Sequence, residues 1–376
     1  MVCRLRKGLY GLKQAGRQWN LRLLQEICLL GFTQCKSDSC LFVKDIESNF
    51  IALLVFVDDI MIVAKSVSLC NNIVACLANT FKLTDLGSMT LFLGFSVTID
   101  TNWVISLSQS HYSKSVIKRF GFEGVRSSRI PAKQNTKLVS NSNPVSASYS
   151  YDYASAVGSL MYCVVGTRVD LSASVCNICR FMSNPSIEHF YACDVVFRYL
   201  SGTCDLGLVF GGGDLELQGY CDANWGEDLE DRRSITGYVF VLNNAPVSWC
   251  TQKQPTVALS TQEAEYMSLS SACRELVWLR ALLAELGIVY SSAIPLYNDN
   301  AAAIALARDP VQHRRNKHID IRHHYIRELV RSKVVDIEWL SGKELVADFL
   351  TKPLAHHKFS MCRDKLMRRL QESTQR

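Results

Sequence analysis

The chain has no apolar run long enough to cross a bilayer. Its best candidate, residues 51 to 65, offers about 14 apolar positions where a span needs about 20, so no membrane partner is expected. No secretory signal is visible either, because the basic N-terminus leads into a stretch broken by Lys13, Gln14, Arg17 and Gln18. Internal repeats and low-complexity tracts are lacking, which sets aside repeat architectures. Charge is sparse, at 20% of residues against 48% hydrophobic with mean hydropathy near zero, and this balance excludes disorder as the main state. The 15 cysteines are odd in number and follow no regular framework. Reduced thiols packed as small hydrophobes in a cytosolic setting are expected, without disulfides. The one CxxC, Cys176 and Cys179, has no second pair, and His323, His324, His356 and His357 offer no complementary spacing, so zinc is not expected. At 376 residues the chain is long enough for two or three domains with cores of their own.

What is present begins with "IALLVFVDDIMIVAK", where two adjacent acids, Asp58 and Asp59, interrupt an otherwise apolar run. It reads as two buried strands, "IALLVF" and "IMIVA", joined by a tight turn at Val57, Asp58 and Asp59. Two readings stay open on this stretch alone. Asp favours turns through its own backbone hydrogen bonding, or the pair is a device for holding divalent metal. The formal charge of +6 is unevenly spread. Arg4, Arg6, Lys7, Lys13, Arg17 and Arg22 all precede the first acid, Glu26, and a second basic stretch runs from Arg308 to Lys333. Two separated basic surfaces suit a polyanion such as nucleic acid, whose phosphates supply most nonspecific affinity. Solvated helix faces would also account for them.

Residues 14 to 32 carry a helical stripe of Trp19, Leu23, Ile27 and Leu30. Residues 127 to 150, rich in Ser, Asn and Pro, are the most linker-like segment, and "GGG" at 211 to 213 marks another boundary. Beyond it the expected order is three strands, helix, strand, helices, strand, helix. The first strand ends at Asp222, the second and third form a hairpin around Asn243, Asn244 and Ala245, and a later strand ends at Asp299. Within "STQEAEYMSL", Ser260 and Glu263 fit a capping box, which gives Glu263 a structural role. Glu265 instead lines up with Leu269, Ala272, Leu276 and Leu283 on the stripe facing the sheet, where a carboxylate is costly unless paired or bound to metal. Asp348 also occupies an apolar setting, with Lys343 and Lys352 as possible salt-bridge partners. Four acids on one face of a sheet make sense with about two divalent cations between them, and hard oxygen ligands favour Mg2+ or Mn2+.

The blocks "KGLYGLKQAGRQW", "LLVFVDDI", "LTDLGSMTLFLGFSV", "AVGSLMY", "GYCDANW", "SITGYVFVL", "STQEAEYMSLS", "NDNAAAIALA", "KHIDIRHHYIRE" and "VADFLTKPL" occur in an order that resembles the Pol polyprotein of Ty1/copia-type long-terminal-repeat retrotransposons. The resemblance covers nearly the whole chain, from the later part of a reverse transcriptase through a ribonuclease H domain. It implies a mixed α/β, or α+β, architecture: a partial polymerase palm with thumb and connection helices, then a ribonuclease H-like domain with a five-stranded mixed sheet flanked by helices. The corresponding segments are palm at 1–106, thumb-like segment and linker at 107–150, connection helices at 151–212, ribonuclease H at 213–352 and a basic C-terminal tail at 353–376. In this reading Asp222, Glu265, Asp299 and Asp348 hold two metals, Mg2+ or Mn2+, for hydrolysis of RNA in an RNA:DNA hybrid. Asp58 and Asp59 look like the polymerase turn, also with two metals. Gln14 and Arg17 fall in a block similar to the nucleotide- and template-contacting element, and "FLGFSV" is similar to the primer grip. Arg314, Arg315, Lys317 and His318 lie in the basic stretch that would contact the hybrid.

The partners implied are an RNA:DNA hybrid, a template-primer and, if the polymerase half is completed, a deoxynucleoside triphosphate. The setting implied is cytoplasmic, in a retrotransposon particle, or nuclear. Oligomeric state stays open. The chain opens just before "GLYGLKQ", so the fingers and the palm strand bearing a third polymerase carboxylate are expected to fall outside it, with little or no DNA synthesis by this polypeptide alone. Gly16, Phe56 and Val169 depart from the family's usual Pro, Tyr and Pro. The alternative to an enzyme is a catalytically silent remnant that only binds nucleic acid.

Overall fold

The structure, a computed structural model, describes residues 8–46, 49–134, 136–140, 150–308 and 320–370. These form two compact units, one of residues 1–89 with 277–291 and the other of 90–276 with 292–376.

In the first unit, helix α1 (Ala15–Leu29) precedes an antiparallel sheet of β1 (Thr33–Gln34), β2 (Leu41–Ile46), β3 (Asn49–Phe56) and β4 (Asp59–Ala64), in that order, and α2 (Val67–Ala78) follows. Leu23 and Ile27 of α1, Ile51, Leu53 and Val55 of β3, and Ile73 and Leu77 of α2 bury one another, with Trp19 and Leu30 packed at the margin. The stripe read from the sequence is thus the face that α1 buries. Ser66 caps α2 by accepting from the Leu69 amide. The run at 51 to 64 is a hairpin in which Phe56 pairs with Asp59, leaving Val57 and Asp58 as a two-residue turn. Val57 has φ +56°, a left-handed conformation that is strained for a β-branched residue.

The second unit contains two sheets. One is antiparallel, in the order β14-β8-β7-β6-β5, from β5 (Leu91–Phe92), β6 (Phe95–Ile99), β7 (Ile105–Ser108), β8 (Leu206–Phe210) and β14 (Arg368–Arg369). Helices α3 (Ser110–Arg119), α4 (Tyr153–Gly166), α5 (Ser172–Cys179) and α6 (Ile187–Ser201) accompany it. The other is mixed, in the order β11-β10-β9-β12-β13. Strands β9 (Leu217–Ala223), β10 (Ile235–Leu242) and β11 (Ala245–Lys253) form an antiparallel meander, whereas β12 (Ile294–Asn298) runs parallel to both β9 and β13 (Val335–Trp339). The remaining helices are α7 (Thr261–Glu285), whose residues from 277 on are counted with the first unit, α8 (Ala301–Arg308), α9 (Asp320–Arg331), α10 (Asp348–Thr351) and α11 (His356–Leu366). This is the five-stranded mixed sheet expected from the sequence. Its β10–β11 turn is Asn243-Asn244, with φ of +50° and +71°, the twist-matched pairing of a two-residue hairpin.

Two segments differ from their sequence reading. The described residues between 127 and 140 have no helix or strand, but they are not a free linker, and residues 141–149 of the expected linker lie outside the described residues. Leu138 is buried in the core shared with α4, α5 and α6, and the Ser128 amide donates to the Arg198 carbonyl at 3.2 Å. The described part of the segment read as a basic tail, 353–370, packs as well. Phe359, Cys362, Leu366 and Met367 are buried in the same core, Phe359 against Tyr199 and Phe349, and β14 then pairs with β8. A helical apolar stripe runs beneath the Lys and Arg residues of α11 and is sufficient to dock it. The same core holds a fully buried Arg168, whose guanidinium grips Asp170 through two bonds of 2.9 and 2.8 Å and also donates to Thr203, while the Tyr199 hydroxyl completes Asp170 at 2.7 Å. Such a network is stable because each charge keeps its partners after losing water.

Candidate active site

Ligand sites in open α/β sheets form where parallel strands end. Here β9 and β12 end side by side, with Asp222 next to last on β9 and Asp299 immediately after β12. Helix α7 supplies the third acid. At its start the Ser260 hydroxyl accepts from the Glu263 amide at 3.2 Å, as the capping box predicts, while the Glu263 carboxylate accepts from the amide of Leu259, one residue before the cap, at 2.9 Å. Glu263 is thereby accounted for. Two residues on, Glu265 points inward with buried Leu269, Ala272 and Leu276.

Oxygen atoms of Asp222, Glu265 and Asp299 all lie within 4.8 Å of one another. Asp222 and Glu265 are buried, and Asp299 is half-buried. Neutral donors orient them. Asn298 Nδ2 donates to Glu265 Oε2 at 2.9 Å and to the Cys221 carbonyl at 3.0 Å, while Ser268 Oγ donates to the Asp222 carbonyl at 2.7 Å. The Thr351 hydroxyl donates to Asp222 Oδ2. That contact depends on Gly237, which pairs with Asp222 across the ladder. A Cβ there would meet Thr351 Cγ2 at 2.7 Å and Leu350 Cβ at 2.8 Å, so the missing side chain lets α10 reach the acids. Gly342 works likewise, since its Cβ would lie 2.7 Å from Asp299 Oδ2, and Trp339 Nε1 holds the Asp299 carbonyl at 3.0 Å.

The electrostatics mark a site under tension. Burial, followed by the nearby Asp222 and Asp299 charges, pushes the Glu265 carboxyl up to about 9, against the opposing hydrogen bond from Asn298. Burial and Asp222 raise Asp299 too, while Lys352 and Lys358 pull the other way. Three like-charged groups this close cannot all ionise without a cation among them. The donor set fits a hard divalent ion: carboxylate oxygens only, on three rigid elements.

Asp348, expected as a fourth ligand, is not part of this group. Its carboxylate is buried at the start of α10 and is held by Lys352 at 2.8 Å and by Lys358 of α11. Lys352 is the i,i+4 partner that the sequence allowed, and Lys358 arrives because α11 packs instead of trailing away. The remaining sequence-predicted residues fall elsewhere. Asp58 and Asp59 are both exposed at the hairpin tip, where Trp19 Nε1 donates to the Val57 carbonyl at 2.6 Å. Among the described residues no third ligand group joins them. Gln14 and Arg17 are exposed at the start of α1. Arg314, Arg315, Lys317 and His318 lie outside the described residues. Residues that sequence reasoning did not single out are Asn298, Thr351, Ser268 and Lys358. Of these only Thr351 carried a signal, as the neighbour of Lys352 three positions after Asp348.

An acidic centre at the carboxyl ends of a five-stranded mixed sheet with this strand order defines a ribonuclease H-like fold. A family model described as reverse transcriptase (RNA-dependent DNA polymerase) matches residues 1–134. The retrovirus-related Pol polyprotein from transposon TNT 1-94 of Nicotiana tabacum is 38% identical over 371 residues, 97% of this chain and 28% of that protein. The corresponding polyprotein from transposon RE1 of Arabidopsis thaliana is 36% identical over 367 residues, 97% of this chain and 25% of that protein. Among solved structures, the foamy viral protease-reverse transcriptase in complex with dsDNA matches at 13% identity, covering 89% of this chain and 60% of that one, with a TM-score of 0.47. The chain belongs to the Pol polyproteins of Ty1/copia-type retrotransposons. It spans about a quarter of the length of these two polyproteins.

Proposed function

We propose that the chain hydrolyses the RNA strand of RNA:DNA hybrids at Asp222, Glu265 and Asp299, using two Mg2+ or Mn2+ ions. The observation that carries this reading is the approach of three carboxylates to within 4.8 Å, from two strand ends and a helix, with two of them held toward the protonated form. A bound divalent pair supplies an acidified water and charge neutralisation at the scissile phosphate. The protein's part is to hold the acids in place. Asn298 fixes the Glu265 carboxylate, and Thr351 and Ser268 fix Asp222 at its side chain and backbone. No covalent intermediate is required. Recognition through backbone and 2′ hydroxyls would make the duplex type, and not base sequence, the determinant of substrate.

In the same reading, Asp58 and Asp59 belong to a polymerase centre that would use a template-primer, deoxynucleoside triphosphates and Mg2+ or Mn2+, with Gln14 and Arg17 contacting the substrate. Two exposed acids that no third ligand joins among the described residues hold metal weakly, so DNA synthesis by the 376-residue polypeptide is expected to be weak or undetectable.

A labelled RNA:DNA hybrid incubated with Mg2+ tests the nuclease. Asp299→Asn is expected to lower cleavage by at least about a hundredfold, on the scale of losing a group that acts only in the transition state. Identical product traces from the wild type and the variant would refute the assignment in favour of a remnant that only binds nucleic acid.

A further inference from the structure

The acidic centre has cations of its own. Lys352, the residue after α10, places Nζ 2.8 Å from Asp348 Oδ1 and 3.8 Å from Asp222 Oδ2, and Lys358 closes on the other oxygen of Asp348. Both lysines are about one-third exposed, whereas Asp222 and Asp348 are almost fully buried. The backbone fixes the approach. Lys352 leaves α10 in extended geometry directly after Thr351, whose hydroxyl is already on Asp222. Three further groups are close enough to share the field: Glu265, Asp299 and the second lysine.

A cation this near a metal-ligating oxygen does two things at once. It lowers the negative potential that draws a divalent ion, and it engages Asp348, which could otherwise turn toward that ion. We propose that Lys352 is an intramolecular counter-cation that competes with divalent metal for the acidic centre and holds Asp348 out of the ligand set. The inference rests on the metal reading above and concerns how strongly the centre loads. With Lys352 in place, free metal binds more weakly than three carboxylates alone would dictate. Loading is then completed when another anion, a phosphate of the nucleic acid, draws the ammonium away. Lysine suits this role because it is a compact charge on a flexible stem, able to leave one oxygen for another.

The test is a titration of the purified full chain with Mn2+ in the absence of nucleic acid, following free Mn2+ by electron paramagnetic resonance. Wild type, Lys352→Met, Lys352→Arg and Asp299→Asn are compared. Lys352→Met keeps the aliphatic stem on a partly exposed residue, and thermal melting verifies that the variants fold. The expected result is binding about tenfold tighter in Lys352→Met, as removal of a unit charge near the ligands dictates, with Lys352→Arg close to wild type and Asp299→Asn strongly weakened. Equal or weaker binding in Lys352→Met, with Asp299→Asn still weakened, would overturn the competition while leaving the metal site standing. Identical weak binding by all four proteins would remove the metal site and the competition together.

Discussion

At the scale of single residues, the decision between Glu263 and Glu265 was legible because helical spacing assigns them to different faces, and the structure gives the first a capping bond and the second a place among the acids. Asp348 was not separable in the same way. An acid among apolar neighbours reads identically whether it meets a metal or a lysine, and one of its two lysines comes from a helix 10 residues further on. Glu265 also carries a pH signature. In the unfolded chain its carboxyl titrates near 4.5, whereas in the metal-free fold it is pushed up to about 9. Below the lower value both states are protonated and no penalty arises. As pH rises from there the unfolded state ionises first, so stability falls until the folded group ionises as well. Glu265→Gln removes this titration and keeps an oxygen to accept from Asn298. In the presence of chelator, the variant is expected to match wild type near pH 5 and to exceed it by on the order of 2 kcal/mol near pH 8.5. Urea unfolding at the two pH values measures this, and parallel pH dependence in both proteins would contradict the assignment.

At the scale of elements, most strands and helices were legible from periodicity and turn residues. The Asn243-Asn244 turn and the "FVDD" hairpin stand where the sequence puts them. The apolar stripe of α11 was hidden by seven basic or histidine residues between His356 and Arg369, which drew attention to charge instead of to Phe359, Cys362 and Leu366. The buried Arg168, Asp170 and Tyr199 network was equally opaque, because an arginine has no sequence mark of burial and its partners lie in the next turn and on α6. The "FVDD" turn has a property that composition alone would not suggest, namely Val57 in a left-handed conformation. Asn tolerates that conformation at less cost, and the Val57 groups that matter to the fold are its backbone carbonyl and the bond from Trp19. Val57 is exposed, so little packing is lost on substitution. Val57→Asn is therefore expected to stabilise the first unit by about 1 kcal/mol. Chemical denaturation followed by Trp19 fluorescence reports it, and a loss of stability would show that the side chain packs more than its exposure suggests.

At the scale of the whole molecule, the acids that matter are 77 residues apart along the chain, from Asp222 to Asp299, and converge only because β12 lies parallel to β9. Convergence concentrates negative charge in one of the two compact units, and the effect of metal should be equally local. Glu265 and Asp299 hold protons more tightly than free carboxyls, and metal ligands must shed them, so binding releases protons to the buffer. The heat of Mg2+ binding should then vary with the ionisation enthalpy of the buffer, more strongly near pH 7 than near pH 9, where Glu265 has begun to ionise unaided. Ligand that binds only the folded state also stabilises it, by about 2.7 kcal/mol at a hundred times the dissociation constant. Adding Mg2+ should raise the thermal midpoint of the unit that contains the triad. Titration calorimetry in phosphate-free buffers of different ionisation enthalpy, combined with melting curves read at tryptophans of each unit, separates the two effects. A midpoint shift without buffer dependence would mean that the acids were already ionised, and that the tension inferred among them does not exist.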